Sequence, residues 1–173
     1  MLVSGAVYQF SALLGLRDVP RFARERPRET AAIAMEIATA GLPAPAPLRR
    51  LVVRSRALRR LFLSPYVLEP GALPDDAASL IVDGAGARGV FATARAIGRS
   101  NPRDGIDAVH CPILSLAAEH DRIAPLPDTE ALDRDLPGAR TVVLEGAGHM
   151  PMLERPGAFN GELLRFVREL GST

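Results

Sequence analysis

The sequence predicts an α/β fold: three parallel strands with flanking helices, interrupted after the first strand by a long helical insertion. Two short, nearly continuous apolar runs carry this reading. Cys111-Pro112-Ile113-Leu114-Ser115-Leu116-Ala117-Ala118 and Thr141-Val142-Val143-Leu144 have the composition of strands buried within a parallel sheet. Each is followed by a stretch of helical periodicity, and strand–helix–strand–helix implies parallel strands joined by right-handed crossovers. A third apolar run opens the chain, separated from the other two by residues 9–105, which read as helices and connectors.

Residues 1–8 contain Leu2, Val3, Ala6 and Val7 and predict a buried strand that the chain enters almost at once. Residues 17–41 predict a helix with Phe22, Ile33, Met35 and Ile37 on one stripe, open to a break at Pro27 and stopped by Gly41. Leu42-Pro43-Ala44-Pro45-Ala46-Pro47 is a stiff connector. Residues 48–63 predict one basic amphipathic helix, with Leu48, Leu51, Val52, Leu58, Leu61 and Phe62 interleaved with Arg49, Arg50, Arg54, Arg56, Arg59 and Arg60. Such a helix can bind a membrane surface or an anion. The simpler reading, adopted here, is a solvated helix whose Arg stems cover apolar surface.

Pro65 to Pro74 predicts a loop, 75–83 and 87–99 two short helices, and Ser100 to Gly105 a turn-rich linker. After the buried strand at 111–118, residues 127–136 suit a helix, 141–144 a second buried strand, and 156–170 a helix with Phe159, Leu163, Leu164, Phe166, Val167 and Leu170 apolar.

Composition excludes several classes. The chain has 173 residues, 47% hydrophobic and 24% charged, with a formal net charge of +1. Nucleic-acid binding thus has no global electrostatic support. All 21 basic residues are Arg, which reflects a GC-rich coding bias. The single cysteine, Cys111, allows no intrachain disulfide; before Pro112 at a strand start it reads as core. No secretory signal is recognisable at Met1 to Val7, and no apolar run approaches the roughly 20 residues of a membrane span. The expectation is a cytoplasmic protein with no membrane and no nucleic-acid partner.

The chemistry concentrates in residues 106–170. One strand ends in Ala118-Glu119-His120-Asp121 and the next in Gly146-Ala147-Gly148-His149. Ligands of open parallel sheets bind beyond the carboxyl ends of the strands, so Asp121 and His149 are expected on one rim. A carboxylate beside an imidazole fixes the ring's tautomer and stabilises the imidazolium; the ring then serves as general base toward a hydroxyl. Glu119 and Glu145 are alternative carboxylates. His120 reads as a solvent-facing loop residue and His110 as structural. Two His with an Asp could suggest a metal site, but no spacing here matches a zinc pattern, and no cofactor is expected.

These segments resemble the α/β-hydrolase superfamily. Ile106 to Leu114 is similar to the lead-in to that family's penultimate strand. Glu119-His120-Asp121 with Ala124-Pro125 is similar to its triad-acid loop, although Ala118 stands where Gly is common. Gly146-Ala147-Gly148-His149-Met150-Pro151-Met152-Leu153-Glu154-Arg155-Pro156 is similar to its triad-histidine loop. Acid precedes histidine by 28 positions, in the family's order. The resemblance implies a partial α/β-hydrolase fold: residues 1–8 and 106–173 the C-terminal part of the core, 9–105 a helical cap. It implies Asp121 and His149 as catalytic residues, a small, apolar substrate, and Phe10, Leu13, Leu14, Phe62, Tyr66, Phe91 and Met150 as pocket lining.

The family's Gly-x-Ser-x-Gly nucleophile elbow is absent. Ser4 has no glycine two positions before it, Gly98-Arg99-Ser100-Asn101-Pro102 ends in proline within a linker, and Ser11, Ser55, Ser64, Ser79 and Ser115 lack the context. The expectation is a truncated serine hydrolase, its nucleophile encoded upstream of Met1, inactive alone. The alternative is a non-catalytic module that pairs through the open edge of its first strand, with a separate N-terminal half or with itself. Acyl transfer or lyase chemistry is a third reading, since the fold does not fix the reaction.

Overall fold

The computed structural model describes residues 1–4, 19–28, 30–31, 34–35, 44–84, 90–99, 103–136 and 138–171. In chain order its elements are β1 (Leu2–Val3), α1 (Val19–Glu25), α2 (Ala46–Arg54), α3 (Arg56–Leu63), α4 (Asp75–Gly84), α5 (Val90–Arg99), a 3-10 turn at Ile106–Ala108, β2 (Ile113–Ala118), α6 (Leu126–Asp135), β3 (Ala139–Leu144), α7 (Pro151–Glu154) and α8 (Pro156–Leu170). The remainder of the expected first strand, and much of the helix expected at 17–41, lie outside the described residues.

The three strands form one parallel sheet in the order β1-β2-β3. Leu2 and Val3 align with Ser115 and Leu116, and β2 runs beside β3 from Ile113↔Ala139 to Ala118↔Leu144. Side chains alternate across a strand, so Leu114, Leu116 and Ala118 share a face. They pack with Leu144, Ala147 and Phe159, and with the half-buried Leu163 and Phe166 of α8. Ser115 and Ala117, on the other face, are buried as well. Burial on both faces is why β2 reads as an unbroken apolar run.

Two expectations about burial in and beside the sheet are corrected. β3 is not buried along its length: Val143 is 43% exposed and, in β3, only Leu144 is buried, because among the described residues β3 has a neighbour on one side only. Cys111 is exposed rather than core, because it precedes β2 instead of lying in it.

The basic stretch 48–63 is two helices, not one. The break falls at Ser55, whose backbone is extended and whose Oγ accepts from Leu58 N at 3.3 Å, capping α3. A helix end leaves its last carbonyls without intrahelical partners. Arg59 takes one of them: its guanidinium donates to Val53 O and, at 2.7 Å, to Leu73 O, and pairs with Asp75. Arg59 is therefore buried, contrary to its reading as a solvated residue. Around it Leu63, Val67, Leu73, Ala78 and Ile81 form a second apolar cluster, joined by Tyr66, Met150 and Leu153. The helical layer of residues 46–84 is thus packed against the segment that follows β3.

Leu116 is 1% exposed at the centre of the first cluster. Leu116→Ala is expected to lower the free energy of unfolding by about 2–5 kcal/mol through lost burial and the cavity it leaves, measured by urea denaturation.

Candidate active site

The register of β2 and β3 continues past their ends as backbone hydrogen bonds. Glu119 N donates to Leu144 O at 3.1 Å and His120 N to Ala147 O at 3.0 Å. The loop carrying Asp121 is thereby laid against the loop carrying His149.

Within the second loop two glycines meet specific demands. Gly146 has φ +62°, a conformation that L side chains rarely adopt. Its N–H donates to Glu119 Oε2 at 3.0 Å. Gly148 answers a close approach: a Cβ there would lie 2.9 Å from Leu68 N and 3.1 Å from both Val67 C and Glu154 Oε2.

The structure brings Asp121 and His149 together. His149 Nδ1 lies 3.1 Å from Asp121 Oδ1 and 3.0 Å from Oδ2. The Asp121 side chain is 0% exposed and that of His149 is 19% exposed. Asp121 Oδ1 also accepts from Ile123 N at 2.8 Å and Ala124 N at 2.7 Å, the hydrogen bonds a buried carboxylate requires. With Nδ1–H donating to the carboxylate, Nε2 keeps its lone pair and can receive a proton. Among the described residues Nε2 has no hydrogen-bond partner.

The alternative carboxylates do not face the imidazole. Glu119 bonds Gly146 N and lies 3.4 Å from His120 Nε2, and Glu145 is exposed. His110 and Cys111 are exposed at the opposite end of β2, where they border a cavity of about 620 Å³; the reading of His110 as a structural residue finds no buried position to support it. Among the described residues no group of three or more His, Cys, Asp or Glu is placed to hold a metal ion, and no helix is long and apolar enough to cross a membrane.

Of the residues expected to line a pocket, Tyr66 and Met150 meet: Met150 N donates to Tyr66 O at 3.1 Å, and both pack in the second apolar cluster. Phe62 stands 36% exposed on α3 and is not part of that cluster. Phe10, Leu13 and Leu14 lie outside the described residues, as does the side chain of Phe91 on α5. Ser4 closes β1 with φ +44°, buried, its Oγ without a hydrogen-bond partner. The structure does not pair that hydroxyl with His149.

A parallel sheet whose neighbouring strand ends hold an acid against an imidazole defines the general class, an α/β protein with its site on the carboxyl rim. Residues 4–162 match the alpha/beta hydrolase family, and the chain belongs to it. Similar solved structures include a thermophilic esterase from Thermogutta terrifontis (22% identity, TM-score 0.54, covering 75% of this chain and 53% of that one). The esterase EaEST from Exiguobacterium antarcticum aligns with 18% identity and a TM-score of 0.56, over 81% of this chain and 48% of that one. An enol-lactonase from Burkholderia xenovorans LB400 aligns with 22% identity and a TM-score of 0.52, over 70% and 49%. These likenesses show the fold. The chain spans about half the length of each of these structures.

The contact at Gly148 gives a local test. Gly148→Ala is expected to destabilise the protein by about 1–3 kcal/mol, because the added methyl meets backbone rather than a movable side chain. Gly161→Ala, inside α8 with nothing within 4 Å of the new methyl, is expected to stabilise it by about 0.5–1 kcal/mol. Thermal unfolding of the two variants reads both signs.

Proposed function

We propose that this chain supplies the acid and the general base of a serine-hydrolase triad, Asp121 and His149, and that the nucleophile comes from residues outside these 173. The observation that carries the reading is the buried Asp121 carboxylate on Nδ1 of a partly exposed imidazole. In the reaction, Nε2 of His149 takes the proton of a serine hydroxyl as its oxygen attacks the carbonyl carbon of an ester. The imidazolium, held by Asp121, then gives that proton to the departing alkoxide, and water repeats the sequence on the acyl-enzyme.

In this reading residues 1–8 and 106–173 are the C-terminal part of the core and 9–105 a cap. Tyr66 and Met150, which pack together beside His149, border a pocket for a small, apolar acyl substrate. The 173 residues alone have no nucleophile elbow and turn over no ester. The outer edge of β1, unpaired among the described residues, is where a strand of the nucleophile-bearing segment joins. The same edge supports the second reading, a non-catalytic module that pairs with a partner chain.

The test is an assay of short acyl esters with the chain alone and with the chain expressed together with whatever coding sequence precedes Met1, alongside labelling by a fluorophosphonate. The chain alone is expected to show neither turnover nor label. The joined protein is expected to show both, with kcat falling by about 10⁴-fold or more in His149→Ala. Turnover that survives His149→Ala, or a fluorophosphonate adduct on the chain alone, would contradict the proposal.

A further inference from the structure

Both sides of His149 are fastened to the same short segment of the helical layer, Ser64-Pro65-Tyr66-Val67-Leu68, which links α3 to α4. On one side, Met150 N donates to Tyr66 O at 3.1 Å. On the other, the Glu154 carboxylate, at the end of α7, bridges two backbone donors: Oε2 accepts from Gly148 N at 2.6 Å and Oε1 from Leu68 N at 2.5 Å. The acid loop is tied to this strap as well, through Arg122 Nη1 donating to Ser64 O at 3.1 Å.

The bridge needs a carboxylate. Two N–H donors, 80 positions apart in sequence, converge on one side chain, and only a group with two acceptor oxygens satisfies both. An amide offers one acceptor and turns its NH₂ toward the second N–H. Hydrogen bonds to an ionised acceptor are also the stronger kind. The bare Gly148 backbone makes the approach possible, since any Cβ there would push against Leu68 N.

From this geometry we infer that Glu154 is a positioning residue: its carboxylate clamps the histidine loop to the 64–68 strap and thereby holds His149 Nδ1 on Asp121. The inference rests on the reading of Asp121 and His149 as an acid–base pair. It adds that the setting of the helical layer over the rim is transmitted to the imidazole through Glu154. Without the clamp, Gly148 is free to shift and the ring loses its fixed distance to the carboxylate.

The experiment follows the His149 Nδ1–H proton by NMR in the 173-residue chain, as wild type, Glu154→Gln, Asp121→Asn and Glu169→Gln. Glu169 pairs with Arg140 on the surface between α8 and β3, so Glu169→Gln controls for loss of a carboxylate elsewhere. Wild type and Glu169→Gln are expected to give the same far-downfield, slowly exchanging Nδ1–H. Glu154→Gln is expected to speed its exchange with water by about tenfold or more, the factor that one lost hydrogen bond to a charged group carries, while circular dichroism shows the fold retained. An unchanged exchange rate in Glu154→Gln, with the signal lost in Asp121→Asn, overturns the clamp and leaves the acid–base pair standing. A signal unchanged in Asp121→Asn overturns the pair itself. If Glu154→Gln does not fold, amide exchange in the wild type decides. Gly148 and Leu68 amides protected to the same degree as His149 Nδ1–H support the clamp, and a Gly148 amide that exchanges freely beside a protected Nδ1–H overturns it.

Discussion

A carboxylate with no exposed surface has to find all its hydrogen bonds inside the protein, and the arrangement of the rim follows from how Asp121 finds them. Two come from its own loop, the N–H groups of Ile123 and Ala124. The third comes from His149, at the end of the neighbouring strand. That bond forms only because β2 and β3 are parallel and in register to their last residues, Ala118 and Leu144. A slip of one residue would turn the side chains of one strand to the opposite face and separate the two loops. The apolar packing of Leu114, Leu116 and Ala118 on α8 holds that register, so burial in the sheet and the geometry of the pair are one constraint.

Above the rim, the helical layer is not an independent body. Its apolar cluster takes in Met150 and Leu153, and its 64–68 strap bonds both loops of the pair. Arg59 stabilises the layer by joining the end of α2, the start of α4 and the loop before it. His149 sits between Met150, bonded to the strap at Tyr66 O, and Gly148, joined to the strap through the Glu154 carboxylate.

The sequence made the core and the pair legible for physical reasons. β2 is buried on both faces and so announces itself as an apolar run; α8 is bounded by Pro156 and carries a complete apolar stripe, and its expected limits of 156–170 agree with the structure. Asp121 and His149 stand at strand ends, where the chain order alone places them on one rim. The features that escaped are those with no local signal. The Leu and Arg periodicity of 48–63 runs through Ser55 without interruption, so the break between α2 and α3 and the burial of Arg59 depend on Leu73 and Asp75, more than ten positions away. Glu154 was visible only as part of the histidine segment; its bond to Leu68 spans 86 positions and has no periodic trace.

The central claim is that Nδ1 of His149 carries the proton and donates it to Asp121, leaving Nε2 to act as base. The ¹⁵N chemical shifts of the neutral His149 imidazole test this directly. The geometry requires a protonated Nδ1 and an Nε2 with the shift of a bare, two-coordinate nitrogen. The reverse tautomer, with the proton on Nε2, would contradict it, because the ring would then turn a lone pair toward the Asp121 carboxylate and could not serve as the base described here.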